Sequence, residues 1–248
     1  MTSNRFYISK VNPQSPYVFL EGEEHHHLNR VSRIQPKEEI WLFDGSGRSY
    51  LARVEEVERE KTKLFVLEEK GREKTNTEII LAQSLVKSKK LEFIIQKSVE
   101  LGVSCFIPVM ASRSVMKIGE KIERKLQRWE RIAREAAKQS GNPWVPCILP
   151  PVDLKKLIKE SKAALKLLLS ENKGIYFRDI LTRPGKSFQK NPPHSIMILI
   201  GPEGGWSREE EEFILDNGFK AVSLGKNILR TETAAISALA LISHFWNL

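Results

Sequence analysis

The hydrophobic pattern of this sequence changes period once, near residues 71–77, and that change limits the fold more than any other feature. Before it the apolar runs are short and separated by turn signals: Arg5–Ser9, Tyr17–Leu20, Ile40–Phe43, Ser49–Val57 and Thr62–Leu67, with one helical stretch at Glu24–Ser32. Asp44-Gly45-Ser46-Gly47, directly after Ile40–Phe43, is a hairpin signal. Short strands and a single helix predict a small β-barrel over residues 1–72. The polar run GREKTNT (71–77) reads as a linker. After it, strand and helix patterns alternate. Ile79–Ser84, Cys105–Met110, Ala164–Ser170, Ile196–Ile200 and Ala221–Leu224 read as strands. Leu91, Ile94, Ile95 and Val99 lie on one helical face, stopped by Gly102. Glu120–Ser140 is an amphipathic helix with Ile122, Leu126, Trp129, Ala133 and Ala136 inward, and Asp153–Ser161, Ser207–Asn217 and Thr231–Phe245 follow as helices. Asn172–Ser195, rich in glycine and proline, reads as loop. Such alternation predicts an α/β domain over residues 73–248 with a mostly parallel sheet.

Charge is distributed unevenly over these regions. The chain carries a net +9, with residues 1–72 neutral, 73–140 and 141–194 each at +6, and 195–248 at −3. The surplus suits a polyanionic partner. Helix 120–140 places Arg124, Arg128, Arg131 and Lys138 off its apolar face, a stripe able to follow an RNA backbone. Arg5, Arg30 and Arg33 are the RNA candidates of the N-terminal part, because arginine grips phosphate with paired hydrogen bonds. Cys105 and Cys147 have no zinc spacing around them and read as two reduced core thiols. His25-His26-His27 lack further ligands at metal spacing, so no metal site is expected. The opening MTSNRFYISK has no apolar leader core and no stretch approaches a membrane span, so a cytoplasmic protein is expected.

The chemistry sits in two loops. Ile200-Gly201-Pro202-Glu203-Gly204-Gly205-Trp206-Ser207 leaves an apolar strand and enters a helix whose start is marked by the capping box Ser207/Glu210. Glycines at a strand's carboxyl end let backbone approach a ligand closely. Neither phosphate-binding glycine motif is present, and Glu203 with Glu209–Glu212 would repel a pyrophosphate. The same carboxylates tolerate a neutral adenosine or a sulfonium. Leu224-Gly225-Lys226-Asn227-Ile228-Leu229-Arg230-Thr231-Glu232-Thr233-Ala234 again joins a strand to a helix, which Thr231 or Thr233 can cap. Arg230 stands at that junction, either as a functional cation or as the ion-pair partner of Glu232 or Glu203.

Together, IGPEGGWSREE (200–210) and LGKNILRTETAA (224–235) resemble the loops of the SPOUT methyltransferases, in particular the RsmE family, which methylates N3 of a uridine in 16S ribosomal RNA. QSLVKSKKLEFIIQKSVELGV (83–103), EAAKQSG (135–141) and HHHLNRVSR (25–33) extend the resemblance through essentially the whole chain. Departures from the family pattern fall at Ser32, at Lys37-Glu38 and at Asn142. The resemblance implies a PUA-like N-terminal barrel that binds RNA and a C-terminal α/β domain with a deep trefoil knot. It implies S-adenosylmethionine as cofactor, the small ribosomal subunit's RNA as substrate, and a homodimer. Carried onto this chain, the cofactor loops are Leu169, Ser170 and Glu171; Ile200, Gly201, Pro202, Glu203, Gly204 and Gly205; and Leu224, Gly225, Ile228, Leu229, Arg230, Thr233 and Ala234. Arg230 is the catalytic candidate, as the cation that stabilises an N3-deprotonated uracil. Two other readings stand beside this one: a SPOUT enzyme acting on another RNA base, and a non-catalytic RNA-binding or ribosome-assembly protein.

Overall fold

The computed structural model describes residues 4–9, 11–72, 75–114, 122–171, 174–182 and 192–246. The chain divides into two compact units, Met1–Lys74 with Arg134–Val145, and Thr75–Ala133 with Pro146–Leu248.

In the first unit, β1 (Arg5–Tyr7), β2 (Tyr17–Glu21), β3 (Glu39–Phe43), β4 (Arg48–Val57) and β5 (Lys61–Gly71) form a curled sheet in the order β1-β3-β4-β5-β2. β1 runs parallel to β3, and the other neighbours are antiparallel. Alternate residues point inward, so Val18, Leu20, Ile40, Leu42, Ala52, Val54 and Leu64 share one core. The helical stretch between β2 and β3 begins as α1 (Gly22–His26), widens into a π-helical turn over His27–Ser32, and stops at Arg33 in the left-handed region (φ 52°). Leu28 and Ile34 from this stretch close the core. His25 is buried, with Nδ1 2.8 Å from the Thr62 hydroxyl, so it is a core histidine.

The expected hairpin joins β3 to β4. The Asp44 carboxylate accepts from the Ser46 N–H and hydroxyl, both at 2.8 Å. Gly47 has φ 96°, and a Cβ there would fall 2.1 Å from the ring of Trp144. Trp144 belongs to the added segment, Arg134–Val145, which a linear reading has no means of assigning to this unit. That segment is held by Val145 N–H donating to Gly45 O at 3.0 Å, and by Lys138 Nζ at 2.9 Å from Glu24 Oε2 and 2.8 Å from His27 Nδ1.

The second unit follows the alternation expected of it. Its strands are β6 (Glu78–Ser84), β7 (Cys105–Met110), β8 (Cys147–Ile148), β9 (Val152–Asp153), β10 (Leu165–Leu169), β11 (Ile175–Tyr176), β12 (Ser195–Ile200) and β13 (Lys220–Ser223). Its helices are α2 (Ser88–Glu100), α3 (Ile122–Ser140, which runs on into the first unit's segment), α4 (Leu154–Glu160), α5 (Phe177–Thr182), α6 (Arg208–Asp216) and α7 (Thr231–Trp246). The strand order is β11-β13-β10-β12-β6-β7-β8, with β9 also on β7, and the pairings are parallel throughout. Every residue of β12 is buried, as suits a central strand with both faces covered.

Three differences from the sequence reading have plain causes. β8, β9 and β11 have two residues each, too few for any periodicity to register. Ile175–Thr182, expected as loop, holds β11 and α5, with Phe177, Ile180 and Leu181 buried. β5 extends to Gly71, into the expected linker, because Arg48 of β4 pairs with it. Glu73, Lys74, Glu120, Lys121 and the Pro184-Gly185 part of the expected loop lie outside the described residues. Of the two cysteines only Cys105 is a core thiol. Cys147, directly opposite it across β7 and β8, is exposed, and the sulfurs lie 2.7 Å apart. No helix among the described residues is long and apolar enough to cross a membrane.

The Gly47–Trp144 contact yields a differential test. Gly22 is also left-handed (φ 58°) but has open space where a Cβ would go. Gly22→Ala should therefore cost only the backbone term, about 1–2 kcal/mol. Gly47→Ala should cost a further ~1–3 kcal/mol for displacing Trp144. Denaturant unfolding followed by tryptophan fluorescence measures both, and equal losses would remove the steric account.

Candidate active site

Parallel pairing places the carboxyl ends of β13, β10 and β12 side by side, and the loops leaving them enclose a cavity of about 610 Å³. The loop after β12 is built from its own backbone outward. Gly205 N–H donates to Pro202 O at 3.0 Å, closing a tight turn, and the left-handed φ of 68° at Gly205 redirects the chain as it leaves that turn. The expected capping box is present: Ser207 Oγ accepts from Glu210 N–H at 3.2 Å, and Glu210 Oε2 accepts from Ser207 N–H at 2.9 Å. Glu210 does more than cap. Its carboxylate also accepts from Ser112 N–H at 2.7 Å and from the Ser112 hydroxyl at 2.9 Å. The next residue, Arg113, donates to Gly204 O at 2.8 Å and to Trp206 O at 3.3 Å. The segment after β7 thus clasps the glycine loop. Gly204 itself has room for a Cβ against the Arg113 stem at 3.6 Å; the closed position is Gly201, where a Cβ would sit 3.0 Å from Trp206 Nε1.

The other two loops are tied to this one. Thr231, buried at the start of α7, donates from its hydroxyl to Gly201 O at 2.8 Å and accepts from Gln83 Nε2 at 3.0 Å. Its hydroxyl thus joins loop to loop, whereas the sequence offered it as a helix cap. Gln83, near the end of β6, is fully buried and anchors the chain of bonds to the sheet. After β10, Ser170 N–H donates to Val222 O at 3.0 Å and its hydroxyl to Glu211 Oε1 at 3.1 Å.

The cavity gathers most of the expected cofactor residues: Leu169, Ser170, Glu171, Ile200 through Gly205, Leu224, Ile228, Leu229, Arg230 and Ala234. Gly225 instead lines a neighbouring cavity of about 470 Å³ with Tyr176 and Phe177, and Thr233 lies on the exposed side of α7. Lining residues that sequence reasoning missed are Lys90, Arg113, Trp206, Glu211, Ser223, Asn227 and Thr231. Trp206, Asn227 and Thr231 stand inside the two motifs and were legible from position alone; Lys90 lies within the 83–103 stretch of the resemblance but with no sign that it reaches the cavity, and Arg113 carried no local signal.

Charge at the cavity is arranged around Lys90. Its Nζ lies 2.7 Å from Glu203 Oε1 and 3.7 Å from Glu232 Oε2. The hydrogen bond with Glu203 raises the Lys90 ammonium above its ordinary range and lowers the Glu203 carboxyl below its own. Both carboxylates offered by the sequence as partners of Arg230 are therefore held by Lys90. Arg230 is exposed at the cavity and has no ion pair among the described residues. The Nε1–H of Trp206 is buried without a hydrogen-bond partner among the described residues.

The RNA candidates divide by environment. Arg30, Arg33 and Arg124 are exposed, as is Arg131. Arg5 is half-buried, donates to the Ser49 hydroxyl at 3.2 Å and lies over the Phe43 ring. Burial lowers its pKa. Arg128 forms a two-pronged pair with Glu92, both contacts at 2.7 Å, which matches its charge within the second unit. No cluster of three or more metal-ligating side chains exists among the described residues.

Comparison with known proteins matches residues 73–243 to the RNA methyltransferase domain and residues 20–67 to the RNA methyltransferase PUA domain. Ribosomal RNA small subunit methyltransferase E of Bacillus subtilis is 32% identical over 97% of this chain and 96% of its own length. The crystal structure of a ribosomal RNA small subunit methyltransferase E from Neisseria gonorrhoeae bound to S-adenosyl methionine superposes with a TM-score of 0.88 at 34% identity, covering 98% of both chains. A methyltransferase from Legionella pneumophila, in complex with bound SAM, gives the same TM-score at 32% identity and the same coverage.

Thr231 supplies the test of the loop architecture. Thr231→Val keeps the shape but leaves the Gln83 amide and Gly201 carbonyl without this partner. The loss of stability should be about 1–3 kcal/mol, the usual cost of an unmade buried hydrogen bond. Affinity for a ligand held by these loops should fall with it. Thermal unfolding and calorimetry measure the two effects, and a variant unchanged in both would show that the bonds do not set the loops.

Proposed function

Because the chain belongs to the RNA methyltransferase family, we propose that it transfers the methyl group of S-adenosylmethionine to N3 of a uridine in 16S ribosomal RNA of the small subunit. The observation that carries this reading is the cavity: three loops at neighbouring strand ends, lined by carboxylates and apolar side chains, with an unpaired arginine at its wall. Its volume of about 610 Å³ suits a nucleoside-sized ligand. Leu224, Ile228, Leu229 and Ala234 offer an apolar bed for an adenine ring. Glu171, Glu203 and Glu211 suit ribose hydroxyls and positive charge and disfavour a phosphate. The buried Trp206 N–H is a donor without a partner. On this reading the loops after β10, β12 and β13 form the trefoil knot, and the remaining residues of the three motif loops complete the cofactor site.

S-adenosylmethionine bound there supplies a methyl group activated on a sulfonium. The protein's part is position and electrostatics. The uracil imide must lose its N3 proton before that nitrogen can accept a methyl group. Arg230, cationic and unpaired, stabilises the charge left on the ring. Residues 1–72, with the segment 134–145 that packs among them, serve RNA binding, and the rest of residues 73–248 form the methyltransferase domain. Arg30, Arg33, Arg124 and Arg131 are the proposed RNA contacts. Arg5 and Arg128 belong to the same proposed set, each already hydrogen-bonded within the protein, to Ser49 and Glu92. The enzyme works in the cytoplasm as a homodimer.

Mass spectrometry of ribosomal RNA nucleosides from cells with and without this protein tests the activity, with loss of 3-methyluridine expected. Arg230→Ala should slow single-turnover methylation about 10²–10³-fold, the scale of losing one oxyanion-type donor. Affinity for S-adenosylhomocysteine and for RNA should change little. Higher pH should partly restore the variant, since more uracil ionises unaided; a rate that falls in step with cofactor affinity and shows no pH rescue would make Arg230 structural.

RNA binding is tested by point changes, because deleting residues 1–72 would strip the partners of Lys138 and Trp144. Arg30→Ala with Arg33→Ala should weaken RNA binding and reduce the slope of log K against log salt by roughly 1.5–2. An unchanged slope would take these arginines out of the interface.

A further inference from the structure

We propose that Lys90 is a positioning residue that holds Glu203 and Glu232 away from Arg230 and so keeps the Arg230 guanidinium unpaired in the cavity. The inference rests on the proposed role of Arg230 and adds the device that makes that role available. The four groups come from three places in the chain: Lys90 from the first turn of α2, Glu203 from the loop after β12, and Arg230 and Glu232 from either side of the first residue of α7. Lys90 Nζ sits between the carboxylates, 2.7 Å from one and 3.7 Å from the other. Glu232 is the less exposed of the two, its side chain 16% accessible against 31% for Glu203.

The cations that line the cavity are Lys90, Arg113 and Arg230. Arg113 is already donating to Gly204 O and Trp206 O. Without Lys90, the cations left near the two carboxylates are Lys87, which acts on Glu203 through space, and Arg230, which lines the same cavity. Arg230 stands two residues from Glu232 and repels the Lys90 ammonium through space, so it is within electrostatic reach of the cluster. A guanidinium engages a carboxylate with a two-pronged fork. Once so engaged, its charge would be matched in the ground state and would do less for an anion forming on the substrate. The cation at position 90 hydrogen-bonds Glu203 and stands 3.7 Å from Glu232, whose buried Oε2 has no hydrogen-bond partner among the described residues, so its charge faces both carboxylates in place of the guanidinium.

Two readouts test this, one of them independent of activity. Exchange of the Arg230 Nε–H with water is followed by nuclear magnetic resonance on arginine-labelled protein, and methylation by single turnover. In Lys90→Met, Arg230 exchange should slow at least about tenfold as the guanidinium becomes paired. The rate should fall about 10²-fold, toward that of Arg230→Ala. Adding Glu203→Gln and Glu232→Gln to Lys90→Met should return fast exchange and recover at least about tenfold of the rate. Lys90→Arg, which keeps the pairs, should resemble the wild type in both. Unchanged Arg230 exchange in Lys90→Met overturns the proposal, as does a slow Lys90→Met that the carboxylate changes leave equally slow, since Lys90 would then act on the substrate itself. Full activity in Arg230→Ala, beside slowed exchange in Lys90→Met, supports the positioning by Lys90 and sinks only the chemical role of Arg230.

Discussion

Parallel pairing of β10 with both β12 and β13 is the constraint on which the site depends. Parallel strands present all their carboxyl ends at one edge of the sheet, so the loops that follow them converge without any further device. Here the converging loops are Leu169–Glu171, Gly201–Trp206 and Leu224–Arg230, and they share one cavity. The buried anchor is Gln83, whose amide reaches Thr231 and through it the Gly201 carbonyl. A hydrogen-bond chain of this kind, out of water and resting on a fully buried side chain, fixes loop spacing more firmly than surface contacts do.

Electrostatics at the cavity follow from which cation reaches which carboxylate. The end of the chain is acidic, and its carboxylates are put to local structural use wherever a partner is near. Glu210 caps α6 and holds Ser112, Glu211 accepts from Ser170, and Glu203 and Glu232 meet Lys90. Arg230 is left as an exposed cation at the cavity. An unpaired arginine beside a ligand-sized cavity is a stronger pointer to chemistry than the glycines, which by themselves suit any tight strand-to-helix turn.

The N-terminal unit is held differently. Its sheet has a conventional alternating core, but the unit also incorporates Arg134–Val145, a segment that begins sixty positions beyond Lys74. Lys138, clasped by Glu24 and His27, and Trp144, stacked against Gly47, are the points of attachment. This changes how the triple histidine is understood. His25 is a core residue bonded to Thr62, His27 accepts from Lys138, and His26 is exposed, so adjacent histidines serve three environments. It also changes the basic stripe of α3, since Lys138 and Arg128 are committed to Glu24 and Glu92.

What the sequence determined by itself is whatever depends on neighbours along the chain. The change of period near residue 72, the β3–β4 hairpin turn, the Ser207/Glu210 capping box and the two glycine-rich junctions are all local, and all were legible. The alternation of strands and helices likewise implied a parallel sheet, because each helix must cover a sheet face. Two-residue strands such as β8 and β11 left no trace, since pairing alone defines them. The tertiary structure decided which distant residues complete the site and which charges remain free. Lys90 and Arg113 reach the cavity only because β6 stands beside β12 and β7 beside β6 in strand order, a fact that no spacing in the sequence encodes. Arg230 and Arg128 look alike as sequence letters. One has no ion pair among the described residues and the other is forked onto Glu92, because the partner of an arginine is set by packing between elements far apart in the chain.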